Sequence, residues 1–303
     1  QSIRWTDLQL HTLLGAGSFG QVWLATTSST GSDGTTCSEG MDDITDSHND
    51  NKQRMLALKV LSKHKLVQSM EQAQRVVAER NIMSSLSSPF IIRLYNTFQD
   101  ESRLYMVTSL VEGGELESII PENGLSEHAA KFYAAGILEA LTYMHKRHII
   151  HRDVKSQNVL IDNKGYPVLI DMGFGKTHRK CLFYALPFVS DHVLFDTLFP
   201  DQAKYVPDKT FTFCGSPMLT APEIIRYKGH DKGCDHWSWA VLTYQLVTGH
   251  YPFYEKGMDE VALYKRICKG SFELDGTMSV HFRQLMVGML YPDARLRLGS
   301  RPS

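Results

Sequence analysis

One stretch limits this chain more than any other: His151-Arg152-Asp153-Val154-Lys155-Ser156-Gln157-Asn158-Val159-Leu160. Basic, acidic and amide side chains crowd one short turn, and an apolar segment follows at once. A second apolar run, Val168-Leu169-Ile170, leads into Asp171-Met172-Gly173. Two hairpin-like strands ending this way would present Asp153, Asn158 and Asp171 at one mouth. Hard cations take oxygen ligands, which Asn and Asp supply. A further carboxylate, not engaged with metal, can accept a proton. Taken alone, the pattern also fits two polar turns in an α/β protein.

His-Arg-Asp, four residues and Asn, followed later by Asp-x-Gly, resembles the catalytic loop and metal-binding motif of eukaryotic protein kinases. The resemblance implies an α+β, bilobal protein-kinase-like fold. Residues 1-111 would form a small β-rich N-lobe and 112-303 a large, mostly helical C-lobe. It also implies ATP and magnesium, with a cleft gathering Lys59, Asp153, Asn158 and Asp171 around one nucleotide.

The totals are compatible with this. The 303 residues suffice for two domains, and a net charge of −1 gives no strong field toward nucleic acid or membrane. No apolar run approaches the roughly 18 residues of a membrane span. The five cysteines are odd in number and none stands in a CxxC pair, so a reducing, cytoplasmic setting is expected, with nuclear access open. The chain starts at Gln1 and reads as an excised domain.

Leu8 to Leu14 reads as a strand, followed by Gly15-Ala16-Gly17-Ser18-Phe19-Gly20-Gln21-Val22. Glycines let backbone N–H groups approach phosphates. By itself the motif equally suits a hairpin turn or a Rossmann loop, but no helix follows it, against the dinucleotide fold. Residues 26–51 hold 11 Ser or Thr, six acids and no Lys or Arg, so a mobile, solvated insertion is expected. Met55-Leu56-Ala57-Leu58-Lys59-Val60-Leu61 reads as a strand whose one lysine, on periodicity alone, merely reaches water. Helical spacing runs from Leu66 to Leu86, with Glu79 on it. Ile91 to Phe98 and Leu104 to Val107 read as two more strands. Residues 126–146 form the clearest helix, with Ala129, Phe132, Tyr133, Gly136, Ile137, Ala140, Leu141 and Met144 as its apolar face. Further helices are expected from Asp235 to about Val247, ended by Gly249, and over 259–268 and 281–291.

Carried over residue by residue, the kinase resemblance assigns roles. Gly15, Gly17, Gly20, Val22, Ala57, Lys59, Ser109, Val111, Glu115 and Leu160 would line the nucleotide site, and Thr108 would close its back. Glu79 would pair with Lys59. Gly113-Gly114 would serve as a hinge. Asp153 would be the catalytic base and Lys155 would offset the γ-phosphate charge. Asn158 and Asp171 would hold magnesium. Thr212 would be a phosphosite, with Arg152, Lys176 and Arg75 pairing its phosphate. Arg295 or Arg297 would pair with Glu223; the sequence leaves both open. Protein substrates with Ser or Thr acceptors and an upstream activating kinase are the implied partners.

Lys155 and Ser216-Pro217 look like the serine/threonine class. Phe213-Cys214-Gly215-Ser216-Pro217, Gly173-Phe174-Gly175-Lys176 and Lys228-Gly229-His230-Asp231 look like the AGC group, most like cyclic-nucleotide (cGMP)-dependent kinases. The chain also departs from the pattern. Met172 replaces the usual Phe, in a regulatory stack of Met83, Leu94, His151 and Met172. Thirty-five residues, 177–211, separate Lys176 from Thr212, where about ten are usual. The extra piece, roughly 178–208, reads as a lineage-specific insertion or a gene-model error. Gln157 and Gln245 stand where basophilic relatives carry Glu, so weaker selection is expected for a basic residue two before the phosphosite. Selection one place earlier, through Glu115, should persist. The rival readings are a pseudokinase scaffold and a small-molecule kinase; Gly215-Ser216-Pro217 and Ala221-Pro222-Glu223, which look like a peptide-docking segment, disfavour the second.

Overall fold

The computed structural model describes residues 3–17, 20–27, 54–173, 175–177, 210, 215–276 and 278–299. The chain divides into two compact units, Gln1–Gln74 with Arg93–Leu110, and Arg75–Ile92 with Val111–Ser303. The second unit therefore takes in residues 75–92, which precede the boundary expected at 111.

The first unit is built on five antiparallel strands: β1 (Leu8–Ala16), β2 (Gly20–Thr27), β3 (Met55–Ser62), β4 (Leu94–Gln99) and β5 (Arg103–Ser109), in the order β1-β2-β3-β5-β4. Alternation along a strand sends neighbouring side chains to opposite faces. Leu56 and Leu58 of β3 therefore join Ala25, Tyr105 and Val107 in a buried cluster flanked by Ile3, Trp23 and Phe98. The other face is set by register: Val22 lies opposite Lys59 and Leu24 opposite Ala57, while Lys59 faces Met106 and Ala57 faces Thr108. The fourth strand starts later than expected. Ile91 forms an isolated parallel bridge with Leu169, and β4 begins only at Leu94.

The helical spacing from Leu66 to Leu86 divides into two helices, α1 (Lys63–Val67) and α2 (Met70–Ser85). Ser69 marks the break, its hydroxyl accepting from Gln72 N at 3.4 Å. Such a local side-chain acceptor favours a helix start over a helix interior.

In the second unit the main helices are α3 (Glu127–His145), the short α4 (Pro222–Ile225), α5 (Gly233–Thr248), α6 (Glu260–Lys269) and α7 (Val280–Met289). Ser126, Asp259 and Ser279 cap α3, α6 and α7 by accepting from Ala129 N, Ala262 N and Phe282 N. α3 packs on α5, and Trp239 Nε1 donates to Ala134 O at 2.8 Å across the contact. Its buried face is Ala130, Ala134, Gly136, Ile137, Ala140, Leu141 and Met144. Phe132, expected in that face, is 42% exposed and instead meets Tyr133 and Tyr166 at the surface. The turn before α3 closes on the end of α5. Leu125 N donates to Leu246 O at 2.7 Å, and Gly124 and Gly249 both adopt left-handed backbone. A Cβ on Gly124 would stand 2.1 Å from Val247 O, and one on Gly249 2.1 Å from Glu122 O.

Two small ribbons position the loops of interest. β6 (Ile149–Ile150) pairs with β9 (Lys176–Thr177), and β7 (Val159–Ile161) pairs with β8 (Pro167–Leu169). Far below, Arg297 settles the pairing left open with Arg295. Fully buried, it grips Glu223 with two bonds of 2.8 Å and also donates to Gly233 O. Arg295 stays at the surface and pairs with Asp293.

Candidate active site

Residues 151–158 connect β6 to the β7–β8 ribbon and are held from beneath by one carboxylate. Asp235, at the start of α5, is fully buried. Its Oδ2 accepts from His151 N at 2.8 Å, and its Oδ1 accepts from Arg152 N at 2.7 Å. His145 Nε2 lies 2.7 Å from Oδ2. Burial alone would raise the pKa of Asp235. The His145 hydrogen bond and charge, with His151, outweigh it, and the carboxyl lies below its usual range. The anchor holds an unusual backbone: Arg152 has a φ of 70°. Left-handed geometry at a non-glycine residue costs about 1–3 kcal/mol and needs surrounding contacts to maintain it.

The bend aims Asp153, 4% exposed, into a compact polar group. Lys155 Nζ is 2.8 Å from Asp153 Oδ2, and Ser216 Oγ donates to Oδ1 at 3.3 Å. Lys155 Nζ also reaches Ser216 Oγ at 3.4 Å. Asn158 Nδ2 donates to Asp153 O at 2.9 Å and to Asp153 Oδ2 at 3.0 Å. Gly215 lets the 215–217 segment lie close: with a φ of 99°, its Cβ would stand 2.8 Å from Arg152 O.

Asp171 joins this group through the ribbon. Val159 pairs with Leu169, and Ile170 N donates to Asn158 O at 2.8 Å, so Asp171 follows directly on the Asn158 backbone. Asp171 has a φ of 61°, is exposed, and accepts from Gly173 N at 3.0 Å through Oδ1. Met172 behind it is fully buried. Because both donors of the Asn158 amide are turned to Asp153, its oxygen is left as an acceptor. With Asp171 Oδ2 this makes a hard-oxygen donor set. Magnesium is commonly held by one or two such protein groups together with phosphate oxygens, so the residues present fit it. Among the described residues no group of three His, Cys, Asp or Glu gathers as an all-protein metal cage.

The other expected residues fall as follows. In the first unit, Val22, Ala57, Lys59 and Thr108 line one face of the sheet by register. Gly17 N donates to Gly20 O at 2.9 Å across the glycine turn, and Gly15 and Gly17 have open space where a Cβ would project. Ser109, at the end of β5, donates its N–H to Arg93 O. In the second unit, Glu79 is 6% exposed on α2, and Arg75 of the same helix is half-buried. Val111 and Leu160 are half-buried and Glu115 is exposed. The paired glycines are fastened to β7: Gly113 N donates to Ile161 O at 2.8 Å, and Glu115 bridges Leu160. Lys176 lies opposite Ile150 in the β6–β9 ribbon. Thr212, the 178–208 segment and most of 26–51 lie outside the described residues. Sequence reasoning did not single out Asp235 or His145 as loop anchors, nor Ser216 as a neighbour of Asp153.

Comparison with known proteins accords with this arrangement. A family model described as the protein kinase domain matches residues 42–302. The chain is 33% identical over 97% of its length to cAMP-dependent protein kinase type 3 of Saccharomyces cerevisiae, covering 61% of that protein. It is 36% identical over 80% of its length to the cAMP-dependent protein kinase catalytic subunit of Dictyostelium discoideum, covering 33% of it. It is 34% identical over 89% of its length to a cGMP-dependent protein kinase, isozyme 2, of Drosophila melanogaster, covering 24% of it. The chain thus spans between about a quarter and three fifths of the length of these relatives.

Proposed function

The chain belongs to the protein kinase family, and from that premise we propose that it transfers the γ-phosphate of ATP to Ser or Thr hydroxyls of protein substrates. The observation that carries the reading is the shared contact of Asp153 with Lys155, Asn158 and Ser216. In it, Asp153 orients the acceptor hydroxyl and takes its proton. Lys155 offsets charge on the transferring group. Asn158 and Asp171 would hold magnesium, which supplies charge neutralisation at phosphate oxygens when bound. Gly15, Gly17, Gly20, Val22, Ala57, Ser109, Val111, Glu115 and Leu160 serve the nucleotide, Lys59 its phosphates, and Glu79 directs Lys59. Little covalent chemistry remains for the protein; positioning and preorganised charge supply most of the rate.

The AGC assignment of the cyclic-nucleotide-dependent type belongs to the same proposal and is supported by the names of the relatives. So does activation by an upstream kinase at Thr212, whose phosphate, of about −1.5 to −2 charge, would be met by Arg152, Lys176 and Arg75. A reducing, cytoplasmic setting is supported by free thiols at Cys234 and Cys268. Among the described residues no helix is long and apolar enough to cross a membrane.

The test is phosphate transfer from magnesium-ATP to a generic basic peptide, for the parent, Asp153→Asn, Asp171→Asn and Lys59→Met. Each variant should lose at least about 10²–10³ in rate while keeping the parental melting temperature. Near-normal turnover in Asp171→Asn refutes the assignment. Nucleotide binding without transfer in the parent supports a pseudokinase, the reading that the replacement of Phe by Met172 favours.

A further inference from the structure

The turn after α4, the end of α6 and the end of α7 enclose a groove of about 620 Å³ within the second unit. α6 ends at Gly270, whose left-handed φ of 69° turns the chain. A Cβ there would stand 2.4 Å from Pro292 Cγ, so the chain leaving α6 passes close over the turn that follows α7. Phe272 and Leu274, next along the chain, line the groove together with Val287, Tyr291 and Pro292. Val287 is 54% exposed and Tyr291 44% exposed, so part of this apolar wall faces solvent. Contiguous apolar surface rimmed by polar groups marks a ligand or partner site, and the volume is in the range of small-molecule sites.

The rim is cationic. Arg226, which follows α4 directly, donates to Cys268 O at 2.6 Å; this fixes its guanidinium at the groove and gives it a neutral partner. Lys269 lines the same rim and forms no ion pair among the described residues. Asp293, the acid among the lining residues, is already matched: Arg295 donates to it through Nε at 3.1 Å and through Nη2 at 2.7 Å. Two cations therefore stand beside an apolar wall without an acidic partner. An uncharged apolar ligand would cover the wall and gain nothing from the cations. An inorganic anion would meet the cations and leave the wall wet. A carboxylate on an apolar tail does both: its head suits the guanidinium fork through charge-assisted bonds, and its carbons take the wall out of water.

We propose that this groove binds a free medium-chain fatty carboxylate, its head held by Arg226 and Lys269 and its tail laid along Phe272, Val287 and Tyr291. The groove shares no residue with the group around Asp153, so its occupancy is a property separate from phosphate transfer. No covalent step is involved. Cys268, a half-buried free thiol in the lining, reports on occupancy.

The test is calorimetric titration of decanoate, below its micellar concentration, into the parent, the double variant Arg226→Gln with Lys269→Gln, and Val287→Glu. All three positions are exposed, and a parental melting temperature checks that each variant keeps the fold. The parent should bind decanoate with a Kd of roughly 10–100 μM, and the uncharged decanol about tenfold more weakly. The double variant should lose that discrimination, and Val287→Glu should weaken decanoate binding by about tenfold or more. The place of binding is read by peptide mass spectrometry: decanoate at about ten times its Kd should slow alkylation of Cys268 by iodoacetamide about tenfold. No binding by the parent at about 1 mM, equal affinity for decanol and decanoate, or parental affinity persisting in both variants overturns the proposal. So does alkylation of Cys268 that decanoate leaves unchanged. Binding to phosphatidylserine vesicles with none to monomeric decanoate also overturns it, in favour of a membrane surface.

Discussion

Replacing Asp235 by Asn tests whether one buried carboxylate holds the 151–158 loop in its working shape. Asn keeps the volume but only one acceptor oxygen. The gentler orientation puts the new NH2 where Oδ1 stood, facing the Arg152 N–H that had bonded there at 2.7 Å. A stranded buried donor costs about 1–3 kcal/mol. The bonds from His151 N and His145 Nε2 survive at Oδ2 but lose their charge assistance, roughly half their strength. The neutral amide is cheaper to bury, which offsets part of this. The net loss is about 2–4 kcal/mol, or roughly 4–12 °C in melting temperature for a chain of this size. Two readouts should move together. Hydrogen exchange should accelerate at the amides of residues 151 and 152. Peptide phosphorylation should fall by about tenfold or more, because a misplacement of 1 Å at such a site can cost about a hundredfold. An Asn variant that melts within about 1 °C of the parent, with unchanged exchange at those amides, refutes the reasoning.

Three further outcomes follow from other parts of the molecule. Arg297→Met leaves Glu223 buried and unpaired and should destabilise by about 3–5 kcal/mol in urea titration; adding Glu223→Gln should recover part of the loss. Burial, and then the His145 charge, lower the His236 pKa to about 4, so between that value and the ordinary one near 6.5 the unfolded chain holds the extra proton. Stability from this group is therefore complete above about pH 6.5 and is lost as pH falls toward 4, by about 1–3 kcal/mol after allowance for partial exposure; the melting temperatures at about pH 7.5 and about pH 5.0 should lie closer together in His236→Gln than in the parent. Thr212→Ala should show low activity beside the parent phosphorylated by an upstream kinase, and full activity in the variant removes that site from the regulatory scheme.

Much of this architecture could be read from the letters, because period and punctuation carry it. Gly249 ends α5 with a φ of 79°, as expected of a glycine at that place. The strands around Lys59 and the turn around Asp153 also fall near their expected places. What could not be read depends on partners distant in the chain. Alanines such as Ala130 and Ala134 give little hydrophobic signal, yet they line the α3 contact because close helix approach needs small side chains. Phe132 looks like core by spacing, but its ring finds a surface aromatic group instead. Ile91 looks like strand, but only one bridge is available to it. Arg295 and Arg297 are indistinguishable locally; burial beside Glu223 separates them.

Glycines 124 and 249 make a clasp in which the backbone two residues before each one, at Glu122 and Val247, occupies the space of the other's missing side chain. Neither can gain a methyl group by a local adjustment, because the obstacle is main chain and the dihedral angles themselves disfavour an L-residue. The front of α3 and the back of α5 can consequently close to the separation that the Leu125–Leu246 hydrogen bond requires only because two side chains are absent. Divergent copies of this chain should keep or lose both glycines together. Where both are lost, the connecting turn should also change length.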